Sequence, residues 1–471
     1  MKFLAVLIFT LFAAQNFAQN ITIKGKAHPS HIGKEITLYD YADYISYTRL
    51  KESTDTIDQD GYFELKIHSN YTKPVLIKVD NLIGRLYIQP KYVYGISFPA
   101  KDSTVNNQEG TESSVNIGVF GADSLELNAL IANFNNQYNE VFSKRKDIYL
   151  SPAKINQVLD TFAIECRDRY KNIKNTYFKQ YVDYSFGIFF SNTSRSKTLL
   201  YKQFIENKPI LYHHYEYMEF FNTHYKGYLK AYASTKNGGT IYNSINAFAD
   251  YKDLWAQFKE DKSIKNDTLR QLLLLKGLID FYYSPDFDKQ KVQSVIEQLY
   301  QQTSVDEHKK IALNFLQSIY KLQAGANAPD FTAIDKAEHN FVLSNLKGKY
   351  IYLNFFSTQS EISLKEMQKI IDLKKKFNDK VQFVSICLDD SAKTYKAYLK
   401  ANPKQDWIIL HQREHSTAKQ AYNIKTLSGF FLISPQMQLV QSPALAPSEG
   451  IEYKFNALFK PKRKNTITGV R

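Results

Sequence analysis

Residues Lys349–Met367 read K-Y-I-Y-L-N-F-F-S-T-Q-S-E-I-S-L-K-E-M, and this stretch decides the fold of the C-terminal third of the chain. Tyr350 to Phe356 is a short apolar and aromatic run, the pattern of a strand buried on both faces of a parallel sheet. Behind it, Ser360-Glu361-Ile362-Ser363 opens a helical pattern. Ile362, Met367, Ile370, Ile371 and Phe377 recur there at helix spacing, with lysines between them. A buried strand that passes through a tight turn into a helix N-terminus belongs to an α/β fold. Ser360 and Ser363 stand where an N-cap and a first-turn residue satisfy free backbone N–H groups. A serine nucleophile needs a base beside it. His339, His411 and His415 lie in the same region at spacings that match no triad, so hydrolysis is not expected.

On these residues the stretch resembles the active-site segment of the TlpA-like thiol-disulfide oxidoreductases, redoxin-type members of the thioredoxin-like proteins. Their pattern reads roughly YLNFWATWCxxCKKEM. Phe355-Phe356-Ser357-Thr358-Gln359 take the place of FWATW, and Lys365-Glu366-Met367 match its end. Ser360 and Ser363 fall where the two cysteines belong. A second segment, Ala421 to Ile433, resembles the family's AYxVxxxPTxFLID. There Ser428 replaces a cis-proline that holds the substrate loop, and Gly429 replaces the threonine after it. A non-proline cis bond costs roughly 2.5–4 kcal/mol, so a trans loop is expected. Ala324–Phe331 (AGANAPDF) matches the family's GxxAPDF, and Phe341–Tyr350 its VxLSDLKGKY.

The resemblance covers residues 325–459 and implies a C-terminal α/β thioredoxin-like domain with a groove for polypeptide. Gln359, Ser360, Glu361, Leu427, Ser428 and Gly429 are the groove positions it implies. It also implies that the family's chemistry is gone. A dithiol works because the helix N-terminus lowers the pKa of the first thiol, giving a thiolate that attacks a disulfide sulfur. A serine hydroxyl stays protonated in the same field. Ser360, Ser363 and Ser428 are therefore degenerate positions, and no catalytic residue and no cofactor is expected.

The remaining cysteines offer no substitute. Only Cys166 and Cys387 occur in 471 residues. Cys166 lies in a charge-rich helical stretch and Cys387 ends the apolar run Val381–Cys387, so both read as separate buried thiols. Met1 to Ala18 reads as a signal peptide: Lys2 precedes an apolar run from Phe3 to Ala14 that is short for a membrane span. The expected product is soluble and periplasmic or secreted, with no transmembrane segment. The net charge of +14 is spread along helices, as at Lys374-Lys375-Lys376, with no nucleic-acid motif beside it.

Ahead of this domain the periodicity changes twice. Ile21–Lys26, Ile36–Tyr39, Tyr62–Ile67, Val75–Val79, Leu86–Ile88 and Tyr94–Phe98 alternate with period two, so residues 19–115 read as all-β, an antiparallel sandwich or small barrel, with the sandwich expected. Asp58-Gln59-Asp60-Gly61 reads as a hairpin turn and stops short of a calcium loop. The cues IxGK at Ile23, DTIDxDGYF at Asp55 and YIQP at Tyr87 loosely resemble the β-sandwich domain of unknown function that often precedes TlpA-like domains.

Residues 120–323 read as an irregular helical region. Asp123 and Ser124 are candidate caps for a first helix, and Ser151-Pro152 for a second. His213, His214, Glu216 and His224 match no metal-ligand spacing and suit a packed helix. Residues 460–471 form a basic tail. The chain is thus multidomain, and its expected function is binding, without catalysis, of a polypeptide or envelope partner. The alternatives are a TlpA-like oxidoreductase with partner-dependent activity, and a cell-envelope structural or assembly factor.

Overall fold

The computed structural model describes residues 19–100, 112–121, 123–144, 151–193, 195–284, 286–389, 391–412, 418–424, 427 and 429–460. The expected signal segment 1–18, the tail beyond residue 460, and Pro285, His415 and Ser428 lie outside the described residues. The chain divides into two compact units, residues 1–101 with 114–312 and residues 102–113 with 313–471.

Among the described residues the first unit opens with nine strands: β1 (Gln19–Ala27), β2 (Glu35–Tyr41), β3 (Arg49–Thr56), β4 (Tyr62–Ser69), β5 (Lys73–Val79), β6 (Leu82–Ile88), β7 (Val93–Phe98), β8 (Ser113–Val115) and β9 (Gly118–Phe120). They form two sheets in the orders β4-β1-β7-β9 and β3-β2-β5-β6-β8. Ile21, Ile23, Leu65 and Ile96 from the first sheet meet Leu38, Ile77 and Leu86 from the second in one core. This is the expected sandwich with one correction: β1 and β7 pair in parallel, Thr22 opposite Val93 through Ala27 opposite Phe98.

Strand β3 escaped the sequence reading because its residues, RLKESTDT, show no apolar alternation. Pairing with β2 holds it in place. Its side chains also stitch it to β4, where Asp55 accepts the Glu64 N–H at 2.7 Å and Ser53 the Lys66 N–H at 3.1 Å. At Asp58-Gln59-Asp60-Gly61 the turn is closed by Asp58, whose carboxylate accepts the Tyr62 N–H at 2.7 Å.

Helices follow: α1 (Leu127–Ser143), α2 (Pro152–Arg169), α3 (Thr176–Ser191), α4 (Lys197–Phe204), α5 (Tyr215–His224), α6 (Tyr228–Ala233), α7 (Ile241–Asn246), α8 (Tyr251–Phe258), α9 (Asp267–Tyr282), α10 (Lys289–Gln302) and α11 (Asp306–Tyr320). The first cap differs from expectation. Asp123 closes a turn, and the N-cap of α1 is Glu126, whose carboxylate accepts the Ala129 N–H at 3.1 Å. Leu125 is left outside the helix and exposed. Ser151 is the N-cap of α2 by position, without a side-chain bond.

Helix α9 is apolar on most sides, with Leu272, Leu274, Leu275 and Leu278 fully buried, so it runs through the middle of the helical layer. Gly277 admits α6 there, because a Cβ at that position would lie 2.4 Å from Leu229.

Sandwich and helices are fastened within this unit. The Asn128 side chain pairs with both backbone groups of Tyr87 at 2.8 Å. Tyr47 donates to Glu219, Asn222 to the Tyr44 carbonyl at 2.7 Å, and Arg85 to the Tyr215 hydroxyl at 3.0 Å.

The second unit contains β10 (Thr332–Ile334), β11 (Asn340–Val342), β12 (Tyr350–Phe356), α12 (Glu361–Phe377), β13 (Val381–Cys387), α13 (Ala392–Ala401), β14 (Ile408–His411), α14 (Ala418–Ala421), β15 (Phe430–Ile433), β16 (Leu439–Gln441) and α15 (Ile451–Phe459). Its sheet runs β11-β10-β14-β13-β12-β15-β16. Strands β12, β13 and β14 are parallel and β15 is antiparallel to β12.

Both faces of the sheet are covered. Met367, Ile370, Phe377 and Phe455 pack on one, and Phe331, Leu343 and Tyr422 on the other. That double burial explains why β12 reads as a continuous apolar run. The segment Gly325–Ala328 lies along β16: Gly325 N–H bonds Leu439 C=O at 2.7 Å, Leu439 N–H bonds Ala326 C=O at 2.8 Å, and Ala328 N–H bonds Met437 C=O at 2.7 Å. Among the described residues, no helix is long and apolar enough to cross a membrane.

Candidate functional site

Strand β12 delivers the chain to a turn at Ser357–Gln359, and α12 starts at Glu361 with Ser360 as its N-cap. The Ser360 backbone is extended (φ −99°, ψ 108°), and its Oγ accepts the Ser363 N–H at 3.3 Å. That bond satisfies one of the four free donors at the helix start. Ser357 supports the turn, its Oγ accepting the Gln359 N–H at 3.1 Å and its carbonyl the Ser360 N–H at 3.2 Å. Ser363 is buried beneath the first turn while Glu361 points to solvent.

Ile362 corrects the sequence reading. It was grouped with the buried stripe of α12 but is 70% exposed. The buried positions are Ser363, Glu366, Met367, Ile370, Leu373 and Phe377, a stripe that passes one residue beyond Ile362. Glu366, on that buried face, accepts the Ser448 N–H at 3.0 Å and so ties the helix to the turn before α15.

The loop before β15 reaches the same end of the sheet. Gly429 C=O accepts the Phe355 N–H at 3.0 Å, which sets this loop beside the end of β12. A Cβ at Gly429 would lie 2.9 Å from Ile424 Cδ1, so the threonine of the family pattern has no room unless Ile424 shifts. Leu427 is exposed. Ser428, and with it the expected trans bond, lies outside the described residues.

One contributor was missed. Asp389, fully buried after the end of β13, accepts the Thr358 N–H at 3.0 Å and the Thr358 hydroxyl as well. Its backbone carbonyl in turn takes a bond from His411 Nε2 at 2.6 Å, and the His411 ring stacks on Tyr395. Asp389 thus pins the turn two residues before the N-cap. The visible signal was an acid directly after an apolar strand. His411 is held by this backbone contact, and among the described residues no imidazole bonds Ser360. His339 is exposed, with Asp335 at 3.5 Å.

Cys387 and Cys166 are both buried. Burial pushes the Cys166 thiol up to about 11. The imidazoles and carboxylate at 213–224 are absorbed by packing. His213 stacks on Tyr71 at 4.2 Å and His214 on Tyr177 at 4.1 Å, Glu216 accepts the Tyr87 hydroxyl at 2.5 Å, and His224 packs on Tyr225. Burial holds His214 and His224 down at about 4. Among the described residues, no group of three or more His, Cys, Asp or Glu is arranged to hold a metal ion.

A family model described as thioredoxin-like matches residues 348–439. The chain is similar to the thiol-disulfide oxidoreductase ResA of Bacillus subtilis, 26% identical over 141 residues, covering 30% of this chain and 78% of that protein. It is also similar to ResA of Bacillus cereus, 32% identical over 81 residues, covering 17% of this chain and 47% of that protein. Among solved structures, the thioredoxin domain of a thiol-disulfide oxidoreductase from Bacteroides vulgatus matches with TM-score 0.27 and 21% identity, over 28% of this chain and 98% of that one. A thioredoxin-like protein from Bacteroides caccae matches with TM-score 0.36 and 19% identity, over 55% and 92%.

Proposed function

Because the C-terminal domain is a thioredoxin-like domain of the redoxin family, we propose that the chain is an exported, redox-inactive member that binds polypeptide or envelope partners. In this reading the groove is formed by Gln359, Ser360 and Glu361 together with Leu427 and Gly429, and by Ser428, which lies outside the described residues. One observation carries this reading. The position that holds a thiolate in the family pattern is a serine whose hydroxyl is spent on capping its own helix. A hydroxyl there forms no mixed disulfide, while the turn and the strand end beside it stay built, through Asp389 and Gly429.

The experiment is a pair of measurements on the mature protein. Insulin-disulfide reduction should stay at background, and a photo-crosslinker at position 360 should capture a polypeptide that competes with an unfolded model peptide. Turnover that survives alkylation of Cys166 and Cys387 would sink the redox-inactive reading. A crosslinker at the Asp58 turn that captures a partner while position 360 captures none would favour an assembly factor docking through the sandwich. A second reading, thiol-disulfide exchange with partner-dependent activity, is supported by the names of the relatives. It has to use a partner's thiols, or else Cys166 or Cys387, both of which are buried. Export is part of the proposal: cleavage after Ala18 should leave Gln19 as the first residue, in the soluble periplasmic fraction.

A further inference from the structure

The solvent face of the sheet β4-β1-β7-β9 carries a second kind of site. Its register sets outward residues in rows: Tyr62, Lys26, Ser97 and Gly118 in one, and Glu64, Lys24, Gly95 and Phe120 in the next. Tyr62 and Phe120 stand at opposite ends of these rows, 53% and 60% exposed. Gly95 lies between Lys24 and Phe120, and the space above it belongs to an open cavity of about 540 Å³.

The glycines differ in cause. Gly25 is required by packing, since a Cβ would lie 2.1 Å from the Phe63 ring, whereas at Gly118 a Cβ would meet only the rotatable Ser97 Oγ, at 2.4 Å. At Gly95 a Cβ would meet nothing closer than Phe120 Cβ at 3.7 Å, and φ is not positive. A glycine inside a strand forgoes packing and backbone rigidity, and where no neighbour demands it, it marks a place that something else approaches closely.

We propose that this face binds a saccharide, a short run of neutral pyranose rings that stack on Phe120 and Tyr62 over the Gly95 floor. The π faces of the aromatic rings carry negative charge density, which matches the polarised C–H bonds on the flat side of a sugar ring. Hydroxyl groups both donate and accept, and the trough offers both partners: the Glu64 carboxylate, with Lys66 at 2.8 Å and Lys24 at 3.5 Å, and the Lys24 and Lys26 ammonium groups, Lys26 standing 4.9 Å from the centre of the Tyr62 ring. A polyanion is disfavoured by Glu64, Asp55 and Asp58 on the same wall. A peptide added as a strand at the β4 edge is disfavoured too, because the Glu64 and Lys66 N–H groups there are already taken by Asp55 and Ser53.

The test is calorimetric titration of the mature full chain with cellohexaose, maltohexaose, a β-1,4-linked N-acetylglucosamine hexamer and a proline-rich decapeptide. At least one saccharide should bind with a Kd between about 1 μM and 1 mM. Phe120→Ala and Gly95→Val should each weaken it by about tenfold or more, whereas Tyr453→Ala, at an exposed aromatic in the second unit, should not. A Cβ at position 95 meets nothing closer than 3.7 Å, so Gly95→Val keeps the test alive if Phe120→Ala folds poorly. The proposal is overturned if no saccharide binds up to about 10 mM, if both substitutions leave binding unchanged, or if only the peptide binds and both substitutions abolish it.

Discussion

Replacing Glu216 with glutamine should flatten a pH dependence of stability built into the joint between sandwich and helices. Glu216 is fully buried on α5, with the Tyr87 hydroxyl of β6 at 2.5 Å and the Tyr177 hydroxyl of α3 at 3.4 Å. His214 Nδ1 lies 3.6 Å away, and Arg85, Tyr181, Tyr44 and Tyr215 complete the surroundings. Burial pushes its carboxyl up to about 7 from the ordinary 4.5. A carboxyl raised in the folded state favours folding fully below pH 4.5. That contribution is lost as pH rises, because the unfolded chain ionises from pH 4.5 upward while the folded chain keeps its proton until about 7. The complete loss is about 2.5 pH units, or ~3 kcal/mol; between pH 5.5 and 8 it is ~2 kcal/mol.

His214, His224 and His308, held near 4 by burial, act in the opposite sense and gain stability as pH rises toward 6.5. The readout is therefore the difference between wild type and Glu216→Gln. Hydrogen exchange of peptides spanning 211–229, corrected for the intrinsic pH dependence of exchange, should show that difference widening by a factor of about 20–40 from pH 5.5 to 8. A difference that stays constant with pH would refute the titration of Glu216 in this window.

Ser360→Ala should cost about 1 kcal/mol in urea denaturation of the second unit through loss of its cap; no change would mean that the Ser363 N–H finds another acceptor. Ser360→Cys with Ser363→Cys should form an internal disulfide, its first thiol titrating below about 8.5 by iodoacetamide reactivity. Glu361 and the Asp389 carboxylate oppose that shift, so adding Asp389→Asn should lower the titration point further, and a rise would show that Asp389 acts only through the turn. Gly25→Ala should destabilise the first unit by about 1–3 kcal/mol, because its Cβ would meet the Phe63 ring. Phe63→Leu in the same chain should recover part of the loss in thermal melting.

The elements legible in the sequence were those whose burial is set locally. Strand β12 is apolar because both faces of its sheet are covered, and Ser360 announced its cap by its place before a helical pattern. What escaped depended on partners far along the chain. Strand β3 is polar and exists through pairing with β2 and stitching to β4. The parallel pairing of β1 with β7 leaves no trace in the alternation of either strand. The Tyr87–Glu216 contact joins residues 129 positions apart, and Thr358–Asp389 joins two separated by a whole crossover. Ile362 misled because one helical position, about 100°, separates a core stripe from solvent.

The bonds of Gly325–Ala328 to β16 bear on how copies of this chain meet one another. A three-residue strand at the rim of a seven-stranded sheet is an open template for a foreign strand. Here the template is filled by a segment of the same chain, covalently tethered, whose last residue, Ala328, lies four positions ahead of the start of β10. A tethered competitor acts at an effective concentration in the millimolar range, so an intruding strand at micromolar levels loses by orders of magnitude. Crowded sister molecules should therefore pass one another without exchanging strands at this rim. Trimming the chain ahead of Ala328 should turn a quiet edge into a sticky one.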